Sequence, residues 1–229
     1  MLQSIQISCI TNHFFPSTVQ SYLKVAKAIY PNAKPLDNFT CCGLPFFEKG
    51  ELSAAKKTGE HNLKIINGNY LSCSEKCFQT FTHHNPKLFN NTLVHNEVIN
   101  FAKRGEFIYD KLTPQIFENF KNTKGTFFFI GNCETKNETA ILNAFKNIEW
   151  KMPQPTPNCC GAGACLPTIN FEISEKMALS IIKQFQQSGA EALVFSEDLC
   201  RQHILNIANK NGMELDTKNL IDIIAETLS

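Results

Sequence analysis

Apolar positions recur along this chain with two alternating periods. Short runs bounded by polar or breaker residues read as strands: Gln3–Ser8, Asn69–Ser72, Thr126–Gly131, Ile148–Met152 and Ala190–Phe195. Between them lie stretches with helical spacing. Thr18–Ile29 places Val19, Tyr22, Leu23, Val25, Ala26 and Ile29 on one face, and Pro31 and Pro35 follow its end. Glu51–Ile66, Glu75–Thr82, Glu138–Asn147 and Leu199–Asn209 read as further helices. Ser174–Gln187 is another, with Ile173, Met177, Ile181, Ile182 and Phe185 as its apolar stripe. Strands alternating with helices predict an α/β fold with mainly parallel sheets. The polar stretch between Lys103 and Lys124 reads as a linker. The expected division is therefore a first domain over 1–110 and a second over 120–229. A single mixed sheet shared by both halves is the alternative.

Composition narrows the function classes. Of 229 residues, 43% are apolar and 19% charged, which suits a packed core and not a disordered tail. A net charge of +1 argues against a partner held by charge alone, so no nucleic acid is expected. The longest apolar runs, such as Ala192–Phe195, fall far short of the roughly 20 residues of a membrane-spanning helix. Met1–Ile10 carries neither a basic start nor an apolar stretch typical of a secretory signal, so a cytoplasmic location with reduced thiols is expected.

Ten cysteines change the picture: Cys9, Cys41, Cys42, Cys73, Cys77, Cys133, Cys159, Cys160, Cys165 and Cys200. Each half has one Cys-Cys-Gly, at Cys41-Cys42-Gly43 and Cys159-Cys160-Gly161. A lone cysteine precedes each at the end of a strand-like run, Cys9 and Cys133, and another follows, Cys73 and Cys200. The offsets between these counterparts are 124 residues for the lone cysteines, 118 for the pairs and 127 for the last ones. Similar offsets indicate a duplicated unit. Thiolates converging from strand ends and loops are the ligands of zinc and of iron–sulfur clusters. Neighbouring cysteines in a chain chelate one tetrahedral ion poorly. They suit a multi-iron cluster, whose separated irons accept adjacent thiolates. The glycine after each pair permits positive φ and close backbone approach. No dinucleotide fingerprint, P-loop, nucleophile elbow or ferredoxin cysteine run is present, so electrons would come from a partner protein or a soluble donor.

With these residues the chain resembles the cysteine-rich CCG domain family. Two such domains occur in the cysteine-rich component of heterodisulfide reductase, in the iron–sulfur component of glycolate oxidase and in lactate utilization protein A, and the lactate utilization type is the most similar. The resemblance spans nearly the whole chain. Cys9-Ile-Thr-Asn-His-Phe-Phe-Pro16 is similar to the family's Cys-x-x-Asp-x-Phe-x-Pro opening, and Thr40-Cys-Cys-Gly-Leu-Pro45 to its Thr-Cys-Cys-Gly-x-Pro. Asn158-Cys-Cys-Gly-Ala-Gly163, Phe171-Glu-Ile-Ser174 through Met177, and Cys200-Arg-Gln-His-Ile204 match three further segments. The resemblance implies two pseudo-repeated Rossmann-like subdomains holding 4Fe-4S clusters, of the non-cubane kind in the heterodisulfide reductase relatives. It implies a redox subunit of an L-lactate oxidising complex, with iron–sulfur partners resembling lactate utilization proteins B and C. A heterodisulfide-reductase-like disulfide or quinone reductase subunit and a zinc-stabilised, non-redox binding module are the alternatives.

The chain departs from the family pattern in places. A Cys-x-x-Cys beginning at Cys73 would end at Lys76, whereas the thiol is at Cys77, one residue on. In the second half the corresponding position is His203, an imidazole able to bind iron or zinc, so zinc in one half is an alternative. Gly131-Asn132-Cys133-Glu134 replaces the family's Asp-Ser-Cys-His. The candidate ligand set is thus Cys9, Cys41, Cys42, Cys73 and Cys77 in the first half. In the second it is Cys133, Cys159, Cys160, Cys200 and His203. Cys165 reads as an ordinary thiol, His13, His61, His83, His84 and His95 as surface residues, and Phe127–Phe129 as core. Arg201, beside Cys200, reads as a solvent-facing helix residue, with anion binding as the alternative.

Overall fold

The computed structural model describes residues 4–118, 120, 123–131, 138–155 and 159–228. Gln3, Asn132, Cys133, Glu134 and Asn158, all singled out above, lie outside them. The chain divides into two compact units, Met1–Lys111 and Leu112–Ser229. Among the described residues the strands form two separate four-stranded sheets, and every pairing is parallel. The α/β expectation holds, and the single shared sheet does not occur.

In the first unit, β1 (Ser4–Gln6) is central. Beside it lie β2 (Lys34–Pro35) and β3 (Tyr70–Ser72), and β4 (Gly105–Phe107) pairs with β3, giving the order β2-β1-β3-β4. Strand β4 falls in the stretch read as a linker. Its three residues are too few to show a period, and only pairing with β3 defines them as a strand. Two helices follow β1: α1 (Cys9–Phe14), which begins at Cys9 itself, and α2 (Pro16–Ile29), whose Pro16 lies in the first turn where its missing N–H costs nothing. Next come α3 (Leu44–Glu48) and α4 (Leu52–Ile65). After β3, α5 (Glu75–Gln79) runs through a π-turn at Thr80–His84 into α6 (Asn85–Leu88), and α7 (His95–Lys103) precedes β4. The predicted helix Glu75–Thr82 is thus cut short by a change of helical pitch. An aromatic core anchors this region: the Tyr70 and Phe101 rings stack at 4.9 Å, and Phe81 meets both edge-on at 5.7 and 5.3 Å.

The second unit repeats the plan. Strand β5 (Lys124–Ile130) is central between β6 (Asn147–Lys151) and β7 (Ala192–Phe195), with β8 (Thr217–Asn219) outside β7. Its helices are α8 (Pro114–Glu118), α9 (Glu138–Ala144), α10 (Leu166–Ile169), α11 (Phe171–Ser188), α12 (Asp198–Lys210) and α13 (Leu220–Thr227). Phe127–Phe129 are buried, as expected of a central strand. On α11, Ile181 and Ile182 are buried, but Ile173 at the first turn is 48% exposed, so the apolar stripe starts later than its period suggested. Among the described residues no helix is long and apolar enough to cross a membrane.

This topology decides where a ligand can sit. In each sheet the chain runs outward one way from the central strand and then crosses to its other side. The crevice at the carboxyl ends of β1 and β3, and likewise of β5 and β7, is therefore a switch point, where open parallel sheets place their sites. Because all strands are parallel, the loops after β1, β2 and β3 leave from the same edge.

Candidate functional site

In the first unit these three loops carry the cysteines. Cys9 lies three residues beyond β1, as the first residue of α1, behind the Ser8 cap whose Oγ accepts from Thr11 N at 3.1 Å. Cys41 and Cys42 follow β2, and Cys77 stands in the first turn of α5, behind Ser74, whose Oγ accepts from Cys77 N. Gly43, at φ 96°, turns its N–H back onto Cys41 Sγ at 3.4 Å. That left-handed backbone is the physical need for glycine in the motif. Asn62 on α4, fully buried, donates from Nδ2 to the Cys41 carbonyl at 3.0 Å and braces the loop.

The four thiols are linked in series. Cys41 accepts hydrogen bonds from Cys42 and Cys9, and these, helped by the Gly43 and Cys42 backbone, bring it down to about 3 despite burial. It is a thiolate at neutral pH. Cys9 is pushed far above the ordinary thiol range by its hydrogen bond to Cys41, by burial and by the nearby Cys41 and Cys77 sulfurs. Cys42 is raised by its contacts with Cys41 and Cys77 and by burial. The thiols form a donor set that a cation would bind by displacing their protons.

The second unit has the same local geometry. Gly161, at φ 84°, directs its N–H to Cys159 Sγ at 3.4 Å. Cys160, 3% exposed, lies 2.6 Å sulfur to sulfur from Cys200 in the first turn of α12. Contact with Cys159 and Cys200, together with burial, raises the Cys160 thiol well above its usual range. Ser174 on α11 donates to the Gly161 carbonyl at 2.8 Å and braces this loop. Cys133, three residues beyond β5, lies outside the described residues.

Structural equivalence corrects one pairing. Cys73 and Ser196 each follow the strand beside the central one. Their N–H groups bond to the last carbonyl of that central strand, Cys73 to Gln6 at 2.9 Å and Ser196 to Ile130 at 3.3 Å. One residue later stands each helix's N-cap residue, Ser74 or Glu197, and four residues later stand Cys77 and Cys200. The counterpart of Cys200 is therefore Cys77, and that of Cys73 is Ser196. Aligned so, the offset is 123 residues, closer to 124 and 118 than the 127 obtained from Cys73. Cys77 is thus in register with the repeat, and Cys73 is the additional thiol, buried at the end of β3.

His203 is also held differently. Ser174 has one hydroxyl proton, which goes to Gly161, so its oxygen accepts from His203 Nε2 at 3.0 Å. Burial lowers the His203 pKa against the opposing effects of Ser174 and Cys159. Nε2 is therefore committed to bracing α11 against α12, and a ligand role would fall to Nδ1. Arg201 departs from both sequence readings. It is turned inward, donating to Thr217 Oγ1 at 3.1 Å and to the Thr217 carbonyl at 2.8 Å, with Asp198 and Asp222 at 3.8 and 3.7 Å. Cys165 is half-buried at φ 53° before α10. His13, His61 and His83 are exposed, but His84 is half-buried against Phe47, and His95 is half-buried with Nδ1 covered.

Among the described residues no group of three or more His, Cys, Asp or Glu side chains is arranged to hold a metal ion. The thiols pack against one another, so admitting a metal means that they part. Sequence reasoning missed Asn62, Ser174 and Ser196. Ser174 left a signal as part of the matched Phe171–Met177 segment, and Ser196 as the residue four before Cys200, where Cys73 stands four before Cys77.

Paired thiol clusters at the switch points of two repeated parallel sheets define a duplicated cysteine-rich domain. The chain belongs to the cysteine-rich domain (CCG) family, which matches residues 4–82 and 124–205. It is 20% identical over 232 residues to "Lactate utilization protein A" of Shouchella clausii (strain KSM-K16), covering 96% of this chain and 97% of that one. It is 21% identical over 241 residues to "Lactate utilization protein A 2" of Bacillus cereus (strain Q1), covering the whole of both. The fold is similar to that of a hypothetical protein from Helicobacter pylori, with a TM-score of 0.62, 13% identity and 98% of this chain covered. The chain spans 49% of that protein's length.

Proposed function

We propose that this chain is a cytoplasmic iron–sulfur electron-transfer subunit of an L-lactate oxidising system. Cys9, Cys41, Cys42 and Cys77 would hold one cluster and Cys133, Cys159, Cys160 and Cys200 the other, with Cys73 and His203 as additional donors. The observation that carries the reading is the repetition of one thiol geometry at both switch points: a bent Cys-Cys-Gly facing a cysteine in the first turn of the helix after β3 or β7. Soft thiolates drawn from three strand ends suit iron–sulfur groups, and adjacent cysteines suit a group with several irons. When bound, such a group would supply reversible one-electron storage of the 4Fe-4S, non-cubane type. The protein's part is to supply thiolate charge, to fix each Cys-Cys-Gly through Asn62 or Ser174, and to keep water from the buried Cys42 and Cys160.

Lactate enters through the names of the relatives, as do partners resembling lactate utilization proteins B and C. The test is to mix the anaerobically purified chain with such partners and add L-lactate. Bleaching of the chain's iron–sulfur absorption only when all components are present supports the reading. A chain that binds zinc alone selects the non-redox module. Reduction of a mixed disulfide without lactate partners selects the heterodisulfide-reductase-like activity.

A further inference from the structure

The two sites share one plan but differ at one position. Where the first unit has Cys73, the second has Ser196. Both are buried, at 1% and 3% exposure, and both follow the strand flanking the switch point. Both stand four residues before a cysteine of the cluster. Ser196 Oγ is covered from solvent and has no hydrogen-bond partner among the described residues. A buried hydroxyl without a partner is destabilising, so such groups are retained where something accepts their proton. Ser196 follows β7 at the switch point, and the next helix carries Cys200, whose sulfur lies against Cys160, in its first turn.

We propose that Ser196 is a positioning residue of the second site, donating its hydroxyl proton to a sulfur of the group bound there. The inference rests on the iron–sulfur reading above. It makes the two sites unequal: the first has a fifth thiol at this place, the second a neutral oxygen donor. A hydrogen bond to a cluster sulfur stabilises the reduced, more negative state and raises the potential.

The test is a redox titration of the full-length, iron-loaded chain, followed by electron paramagnetic resonance, for the wild type, Ser196→Ala and Ser196→Cys. One of the two signals should shift to lower potential in Ser196→Ala and also in Ser196→Cys, whose thiol is a weaker proton donor and, as at Cys73, an additional sulfur donor. The other signal should stay in place. A purely structural role would lower the melting temperature and leave both midpoints unchanged, which overturns the proposal. If the alanine chain does not fold, the cysteine chain decides by the same criterion. A wild-type chain without iron overturns this proposal together with the function it rests on. Iron in the wild type with an unshifted second signal overturns this proposal alone.

Discussion

Replacing each motif glycine by alanine separates backbone strain from steric contact, because the two units differ only in the second. Gly43 and Gly161 both have positive φ, at 96° and 84°, so each alanine incurs a left-handed penalty of about 1–2 kcal/mol. At Gly43 the new Cβ would meet the Cβ and Cγ2 of Thr58, both at 3.3 Å, and that side chain can yield by a few tenths of an ångström. At Gly161 it would meet the Ser174 carbonyl oxygen at 2.9 Å and the Ser174 Cα at 3.2 Å, inside α11. Helix backbone does not yield cheaply, and overpacking of this kind adds about 1–3 kcal/mol. Gly161→Ala should therefore cost about 2–5 kcal/mol, and Gly43→Ala about 1–2. With a urea slope of about 2 kcal/mol/M, the Gly161 variant should unfold roughly 1 M or more earlier than wild type. The loop should also lift from α11, breaking the Ser174 hydrogen bond to Gly161, which faster amide exchange at the first turn of α11 would report. Equal costs for the two variants, or a Gly161 cost under about 1 kcal/mol, would refute the reasoning.

Tyr70→Phe should stabilise the first unit by about 1 kcal/mol, because its buried Oη has no partner among the described residues; an unchanged or lower urea midpoint counts against this. Arg201→Ala should cost about 3 kcal/mol by leaving Asp198, 2% exposed, without its cation; Arg201→Lys should recover only part, since one ammonium cannot serve both Thr217 oxygens and the two carboxylates. Thermal melts of the two variants check the order. Asn62→Ala should cost about 2 kcal/mol and loosen the Cys41 loop; iron uptake should fall in the first site and not in the second, and uniform retention in both would show that Asn62 does not position the cysteines.

The alternating periods revealed the central strands and the long helices because those elements bury an apolar face of their own. Strands β2, β4 and β8 were not legible. They are two or three residues long, lie at or next to a sheet edge, and exist through pairing with a neighbour. Helix α13 has a clear cap, with Asn219 accepting from Ile221 N and Asp222 accepting from Asn219 N, but it lay beyond the segments the motifs drew attention to. The cysteines were visible as a duplication. Their correct alignment was not, because Cys73 and Cys77 lie within one turn of each other in sequence and only backbone pairing shows which one matches Cys200. Arg201 shows the same limit: a charge on a helix reads as solvated, and its inward course depends on Thr217, on an edge strand the sequence did not reveal.

The central claim is that each of the two thiol sites holds an iron–sulfur group of its own. Iron, acid-labile sulfide and zinc per chain, measured on the anaerobically reconstituted wild type and on Cys41→Ser/Cys42→Ser and Cys159→Ser/Cys160→Ser, test it most directly. Each double variant should lose about half of the wild-type iron and sulfide while the other site's paramagnetic signal persists, as expected of two independent thiolate sites. Zinc without sulfide in the wild type, or iron unchanged in either variant, would contradict it.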